Sequence, residues 1–595
     1  MLIPECTIRS SIYYLSSPPP PPPFGIAKMT SSRTIYPNLS DHLWCLRRKA
    51  FSHQGRHRLH TNCTMDRVCF DVETPQVKSN GIDAKKHPLM FSSVERGQEI
   101  DIGTHIFCNR ALNMKNIVAV GFDMDYTLAD YKPETFESLT YECSIRKLVC
   151  DLGYPPELLD WSFDPTYIVR GLVLDKKRGN ILKMDRHKYV KVAYHGFKEM
   201  SKKERDATYE RMLHPDAFHR PEYVLIDTLF LLAAAYLFAQ LVDFMDNNPG
   251  KVPAGTDYSR MFNDIVAAVS LCHRDGTLKT TVAKDPKRYI NEDSSIVSML
   301  KMLRESGRAT FLVTNSLWDY TNIIMNFVCG GKSSDSSSNP GWLQYFDVVI
   351  TGSEKPGFFQ DEPHANLFEV RPESGMLLNT DNGTPMTQVR STATSLPEKT
   401  LERGCRIFQG GNVCHLHKLL AIQSSSQVLY VGDDIYGDIV RSKKARGWRT
   451  MLVVPELARE VALLRKLKET RKQLQLLRSE GDIIEDKIHH LKCSIRSDGS
   501  NVPDKDKLSS ELDKLQLKLE EVRLSHQQGQ REMHQKFHHV WGQLMKTGHQ
   551  NSRFAHQVER FACLYTSQVS NLSLYSPDKY YRSTGEFMPH EIDIM

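Results

Sequence analysis

Apolar residues along this chain gather in short unbroken runs, not in strict alternation with polar ones. From about residue 96 five runs stand out: NIVAVGF (116–122), ATFLVT (309–314), FDVVIT (346–351), QVLYVG (427–432) and RTMLVV (449–454). Most carry β-branched residues and end at a small or polar one, the pattern of a strand buried on both faces. Segments of helical periodicity lie between them, among them SSIVSMLKMLRESG before the second run, so parallel crossovers are predicted. The expected fold is α/β, a doubly wound parallel sheet, whose ligand site falls at the carboxyl ends of the strands near a switch in strand order.

About 185 residues separate the first two runs, far more than the dozen or so a parallel crossover needs, so an inserted cap domain is expected there. It contains GLVLDKKRGNILKMDRHKYVKVAYHGF, which reads as short strands, and TLFLLAAAYLFAQLV (228–242). The second stretch is shorter than the roughly 20 residues that cross a bilayer and includes Gln240, so it reads as a buried helix and no membrane partner is expected. Beyond Leu457 the pattern becomes heptad-like. Leu477, Ile484 and Leu491 recur at sevens, and Leu508, Leu512, Leu515, Leu519 and Val522 alternate fours and threes, which predicts a helical hairpin turning near SDGSNVPD. The expected division is a core formed by 96–132 and 290–458, a cap at 133–289, the hairpin at 459–549, and a C-terminal helix and tail packing on the core at 550–595.

Residues up to about 95 differ from the rest, with a proline run at 18–23, Ser, Arg and His enrichment, and little acid before Asp66. Such a segment cannot build a core. It reads either as a disordered extension of a cytoplasmic protein or as a transit peptide directing the chain to a mitochondrion or chloroplast. The formal charge of +6 comes from nearly balanced basic and acidic residues, with no basic stripe interleaved with aromatics, so no nucleic-acid partner is expected. Thirteen cysteines without CxxC pairs suit a reducing compartment, most of them as buried thiols.

The chemistry is carried by the polar residues at the ends of the strands. Asp123 and Asp125 come directly after the first run, Thr314, Asn315 and Ser316 after the second, Lys355 after the third, and Asp433 and Asp438 after the fourth. Any one of these aspartates alone reads as a helix cap. Together they form a crowded anionic set that needs a cation, and carboxylate oxygens with few protein ligands point to Mg²⁺. Hydroxyl, amide and ammonium groups beside it suit a phosphoryl group. Asp123 is placed to be a nucleophile forming an aspartyl phosphate, and Asp125 to move the proton.

The DMDYTL stretch resembles the DxDxT signature of the haloacid dehalogenase superfamily. GFDMDYTLADYKPETFESL, FLVTNS, KPGFF, YVGDDIYGDIVRSKKARGWRT and FAHQVERFACLY, in that order, resemble successive blocks of the cytosolic purine 5′-nucleotidase family, subfamily IG, across about 105–590. The resemblance implies a Rossmann-like core with a cap inserted after the first motif, nucleoside 5′-monophosphate substrates, a phosphotransfer side activity and a homo-oligomer. It implies Asp123 as nucleophile, Asp125 as acid/base, and Thr314 and Lys355 on the phosphate. The metal would lie on the Asp123 carboxylate, the Asp125 carbonyl and Asp433, with Asp438 in support. His273 and Lys279 match its substrate-binding segment, but Val266 and Ser270 stand where purine-specific members have Arg and Asp, and Asp434 replaces a usual His. An effector site is matched in part by Gln557 and Arg560, with Phe561 in place of Tyr and Arg220 as a further basic contact. Two rivals remain open: a phosphatase for a sugar phosphate or another small phosphomonoester, and a scaffold of the same fold with little catalysis.

Overall fold

In the computed structural model, residues 101–209, 221–330, 341–360, 365–380, 389, 405–497 and 505–583 are described. The N-terminal extension, Arg220 and the predicted hairpin turn lie outside them. The described residues fall within one contact unit.

Ten strands form the central sheet: β1 (Phe107–Cys108), β2 (Ala119–Phe122), β3 (Ala309–Val313), β4 (Val348–Thr351), β5 (Leu367–Val370), β6 (Leu377–Asn379), β7 (Arg406–Gly410), β8 (Val428–Gly432), β9 (Arg449–Val453) and β10 (Leu564–Thr566). Their order is β1-β10-β9-β8-β2-β3-β4-β7-β5-β6. From β10 through β7 every pairing is parallel, and only the outermost strands run antiparallel. The five predicted runs are β2, β3, β4, β8 and β9. Their unbroken apolarity has a direct cause, because successive side chains of a strand face opposite sides and both sides are covered. Phe311 and Val313 pack with Phe408 and Tyr430 on one face, while Leu312 between them packs with Phe122 and Leu429 on the other.

The C-terminal segment does more than pack on the core. After the helix Arg553–Phe561 the chain enters the sheet as β10, parallel to β9.

Between β2 and β3 lies a second, five-stranded antiparallel sheet, formed by Leu172–Asp175, Asn180–Met184, Val190–His195, Lys198–Glu199 and Tyr223–Ile226. Helices Pro133–Leu152, Leu232–Asn247 and Tyr258–Arg274 accompany it. Among the described residues one helical stretch, Leu229–Asn247, is long and apolar enough to cross a membrane. Leu232 to Ala239, Leu241 and Val242 within it are buried in the protein's own core.

The predicted long helices are Lys468–Ser497 and Lys505–Phe537. Ile484, Ile488, Leu519 and Val522 are buried between them, and Lys518 pairs across the seam with Glu480 at 2.9 Å. The cysteines depart from expectation. Nine described cysteines are free, and only Cys143, Cys272 and Cys563 are buried.

Candidate active site

The strand order places β8, β2, β3 and β4 side by side, so the polar residues after these four strands meet at one end of the sheet. β2 is the first core strand of the parallel block, and later strands continue on both sides of it, which is the switch point where such sheets bind ligands. The ladder continues into the site, with the Asp123 amide donating to Val431 O at 2.9 Å and the Thr314 amide to Ile350 O at 2.9 Å.

Asp123, Asp433 and Asp438 each offer a carboxylate oxygen, and these oxygens lie within 4.8 Å of one another. Lys355 Nζ sits among them, 2.7 Å from Asp123 Oδ1 and 2.8 Å from Asp438 Oδ1, and donates to Tyr430 Oη at 3.1 Å. Gly432, at the end of β8, makes this approach possible, since a Cβ there would fall 2.3 Å from Asp438 Oδ2. Burial, reinforced by Asp438 and Asp125 against the opposing Lys355, pushes the Asp123 carboxyl up to about 8. Burial, then Asp123 and Asp438, raises Asp433 well above the carboxylate range. For Lys355 burial acts downward, but Asp123 and Asp438 outweigh it and hold the ammonium protonated.

One lysine does not answer three carboxylates, and Asp433 Oδ2 is buried without a hydrogen-bond partner. A buried orphan oxygen inside an acidic cluster fits a hard divalent cation. Asp438 contributes a carboxylate oxygen to the same cluster as Asp123 and Asp433.

Asp125 is held by two hydroxyls, Ser316 Oγ on Oδ2 at 2.9 Å and Tyr131 Oη on Oδ1 at 2.8 Å. Asn315 turns toward the Lys355 loop, where its Oδ1 accepts from the Lys355 amide at 2.7 Å and its Nδ2 donates to the Lys355 carbonyl at 3.1 Å. Thr314 is fully buried, and its Oγ1 accepts from the Ser316 amide at 3.1 Å. Asp434 caps the turn after β8 through the Tyr436 and Gly437 amides at 2.8 and 3.0 Å.

These groups open into a cavity that they share with residues of the inserted cap. Asp123, Asp125, Asn315, Ser316, Lys355, Asp433 and Asp438 line its floor, while Thr314 is not among the lining residues. Its far wall is cap-derived: Phe136, Phe230, Leu231, Val269, Leu278, His273 and Lys279. Lys279 Nζ lies over the Tyr320 ring at 5.2 Å, and the His273 ring meets Phe230 edge-on at 6.2 Å. Val266 and Ser270 do not line the cavity, since the helix turns Val269 and His273 toward it. Gln557 and Arg560, on the helix Arg553–Phe561, also lie outside its lining.

The model of the 5′ nucleotidase family matches residues 106–593, spanning the whole of this site. The chain belongs to the 5′ nucleotidase family. It is 26% identical to a 5′-nucleotidase domain-containing protein of Dictyostelium discoideum over 500 residues, 82% of this chain and 75% of that protein. It is also 26% identical to 5′-nucleotidase domain-containing protein 2 of Homo sapiens over 372 residues, 60% of this chain and 64% of that one. Membership in the 5′ nucleotidase family supports a nucleotidase or phosphatase function. The sheet and its insertion accord with the Rossmann-like core that the sequence resemblance implies.

In this member of the 5′ nucleotidase family the structure adds residues that the sequence alone leaves unassigned. Tyr131, six residues past Asp125 in the same motif, has a signal in that proximity. Tyr320, Tyr430 and Phe230 have none, being distant in the chain and unremarkable in type.

Proposed function

We propose that the protein is a Mg²⁺-dependent 5′-nucleotidase that hydrolyses nucleoside 5′-monophosphates through a phosphorylated Asp123. The observation that carries this reading is the Asp123 carboxylate, buried at a strand end with Lys355 Nζ at 2.7 Å, facing the same cavity as Asp125. When bound to Asp123 and Asp433, with Asp438 beside them, the cation supplies positive charge to the crowded carboxylates and the substrate phosphate.

Asp123 Oδ attacks phosphorus while the bond to the 5′ oxygen breaks, and Asp125 gives that oxygen a proton, releasing the nucleoside. Asp125 then takes a proton from water as the water attacks the aspartyl phosphate, which returns Asp123 and releases inorganic phosphate. Lys355 balances charge on the transferring group. Ser316 and Tyr131 keep the Asp125 carboxyl oriented, and the aromatic wall offers a face for the base.

A second reading, hydrolysis of a smaller phosphomonoester such as a sugar phosphate, is favoured by one observation. The wall beside His273 and Lys279 is largely apolar and presents few groups that could read base edges. The test is a screen of nucleoside 5′-monophosphates and sugar phosphates with the full chain and Mg²⁺, comparing kcat/KM. Nucleotides are expected to lead; a sugar phosphate leading would replace the substrate assignment, and no turnover of any phosphomonoester would leave a non-catalytic scaffold.

A further inference from the structure

We infer that Arg170 is a positioning residue for the cation site, a clamp supplied by the cap that fixes the main chain at Asp433. The inference rests on the reading above for its effect on turnover, while its effect on cation binding can be measured apart from any reaction.

Arg170 lies just before the cap strand Leu172–Asp175 and is 1% exposed. Its Nη1 donates to the Asp433 carbonyl at 3.0 Å. Its Nε and Nη2 donate to the two carboxylate oxygens of Glu456 at 2.9 and 2.6 Å. The guanidinium lies over the Phe554 ring at 5.3 Å. Gly171, at φ +84, has no side chain to obstruct this stack, and a Cβ there would meet Phe554 Cβ at 2.5 Å. Three separate parts of the chain therefore converge on one side chain.

A buried guanidinium is costly unless its charge and its donors are answered. Glu456 answers the charge through a bidentate pair, which fixes the plane of the fork. A further donor, on Nη1, then points at the peptide that follows the cluster carboxylate. That peptide needs a holder: the Asp433 side chain gains little orientation from its own contacts, a 3.4 Å bond from Thr127 Oγ1 on Oδ1 and none on Oδ2. With the backbone pinned, the Asp433 carboxylate stays within the cluster it forms with Asp123 and Asp438. A lysine cannot reproduce the arrangement, because a point charge lacks the planar fork that reaches Glu456 and the carbonyl together.

The test compares the full-length wild type with Arg170→Lys in two measurements: Mg²⁺ titration without substrate, by calorimetry or thermal midpoint, and kcat/KM across Mg²⁺ concentrations. Partners that orient metal ligands typically affect affinity by about 10–100-fold. The expected result is a folded Arg170→Lys protein that needs Mg²⁺ concentrations higher by that order for half-saturation, with activity partly restored at high Mg²⁺. Should Arg170→Lys not fold, Glu456→Gln tests the same clamp, and weaker Mg²⁺ binding is again required. An unchanged Mg²⁺ midpoint in the folded variant overturns the inference, whether or not activity falls. Weaker Mg²⁺ binding in the variant of a wild type that hydrolyses no phosphomonoester would keep the clamp and reject the proposed function. A wild type that binds no Mg²⁺ rejects both.

Discussion

Ser316 Oγ donates to Asp125 Oδ2 across 2.9 Å, joining the turn after β3 to the loop after β2. Tyr131 holds the other oxygen at 2.8 Å, and its hydroxyl lies 2.8 Å from that of Tyr320. The Asp125 carboxyl, proposed to move the proton, is thus oriented by neighbouring hydroxyls, with only Tyr131 from its own motif.

Removing either hydroxyl should therefore impair chemistry more than binding. Hydrogen bonds to charged groups are worth about 1.5–3 kcal/mol. Ser316→Ala and Tyr131→Phe are each expected to lower kcat by about tenfold or more, with KM within about twofold. Because both act on one carboxyl, the double variant should lose less than the product of the two. Steady-state kinetics on the two singles and the double check this, and fully multiplicative losses would count against a shared role.

Asp123 separates function from stability. Asp123→Asn removes the oxygen proposed to attack phosphorus and also eases the crowding with Asp438 and Asp125 that, together with burial, pushes the Asp123 carboxyl up to about 8. The variant is expected to lose turnover to assay background while its metal-free thermal midpoint stays at or above that of the wild type. It should also lose most of the Mg²⁺-induced stabilisation, which for the wild type reaches about 2.7 kcal/mol at a hundredfold excess over Kd. A variant that unfolds, or that keeps its activity, would contradict the assignment.

His273 makes a prediction whose sign is set by its surroundings. Its ring lines the cavity and is half-buried, and burial, assisted by Lys279, pushes its pKa down from 6.5 to about 3. Between those values the unfolded chain holds a proton that the native protein does not, so this group's contribution to stability falls as pH drops through 6.5 toward 3. His273→Gln should flatten that part of the dependence, measured by denaturant unfolding between pH 7 and 4. The same substitution should leave the acidic limb of the pH–rate profile in place, since the imidazole is already neutral across the assay range.

Burial decided which features could be read from the sequence. The five runs were legible because a strand covered on both faces must be apolar at every position, and the carboxylates were legible because they come directly after such strands. β10 was not, since Leu564–Thr566 is three residues long and gains its place only by pairing with β9. The Ser316–Asp125 bond and the Arg170 clamp join residues 191 and 263 positions apart, and nothing in an isolated serine or arginine announces such a partner. The cavity face of the helix Tyr258–Arg274 was also hidden. Val266 and Ser270 share a side, but only the packed structure shows that Val269 and His273 meet the ligand space.

Phe230 provides the sharpest test of what the cavity accepts. Its ring stands against Tyr126 at 4.9 Å and Phe136 at 6.2 Å, braced within the cap-derived lining of the cavity that the carboxylates share. A substrate with an aromatic base could use that face, and a sugar phosphate has nothing to place there. Base–aromatic stacking is worth about 1–3 kcal/mol. Phe230→Ala is therefore expected to lower kcat/KM for nucleoside 5′-monophosphates by about tenfold, mainly through KM, while hydrolysis of a sugar phosphate changes by less than about threefold. Because the proposed mechanism brings the phosphate end of both substrates to the same Asp123, Asp125 and Lys355, the ratio of the two losses isolates the base contact from any general disturbance of the site. Equal losses on both substrates would mean that the aromatic wall serves packing, and that the preference for nucleotides must come from elsewhere in the cavity.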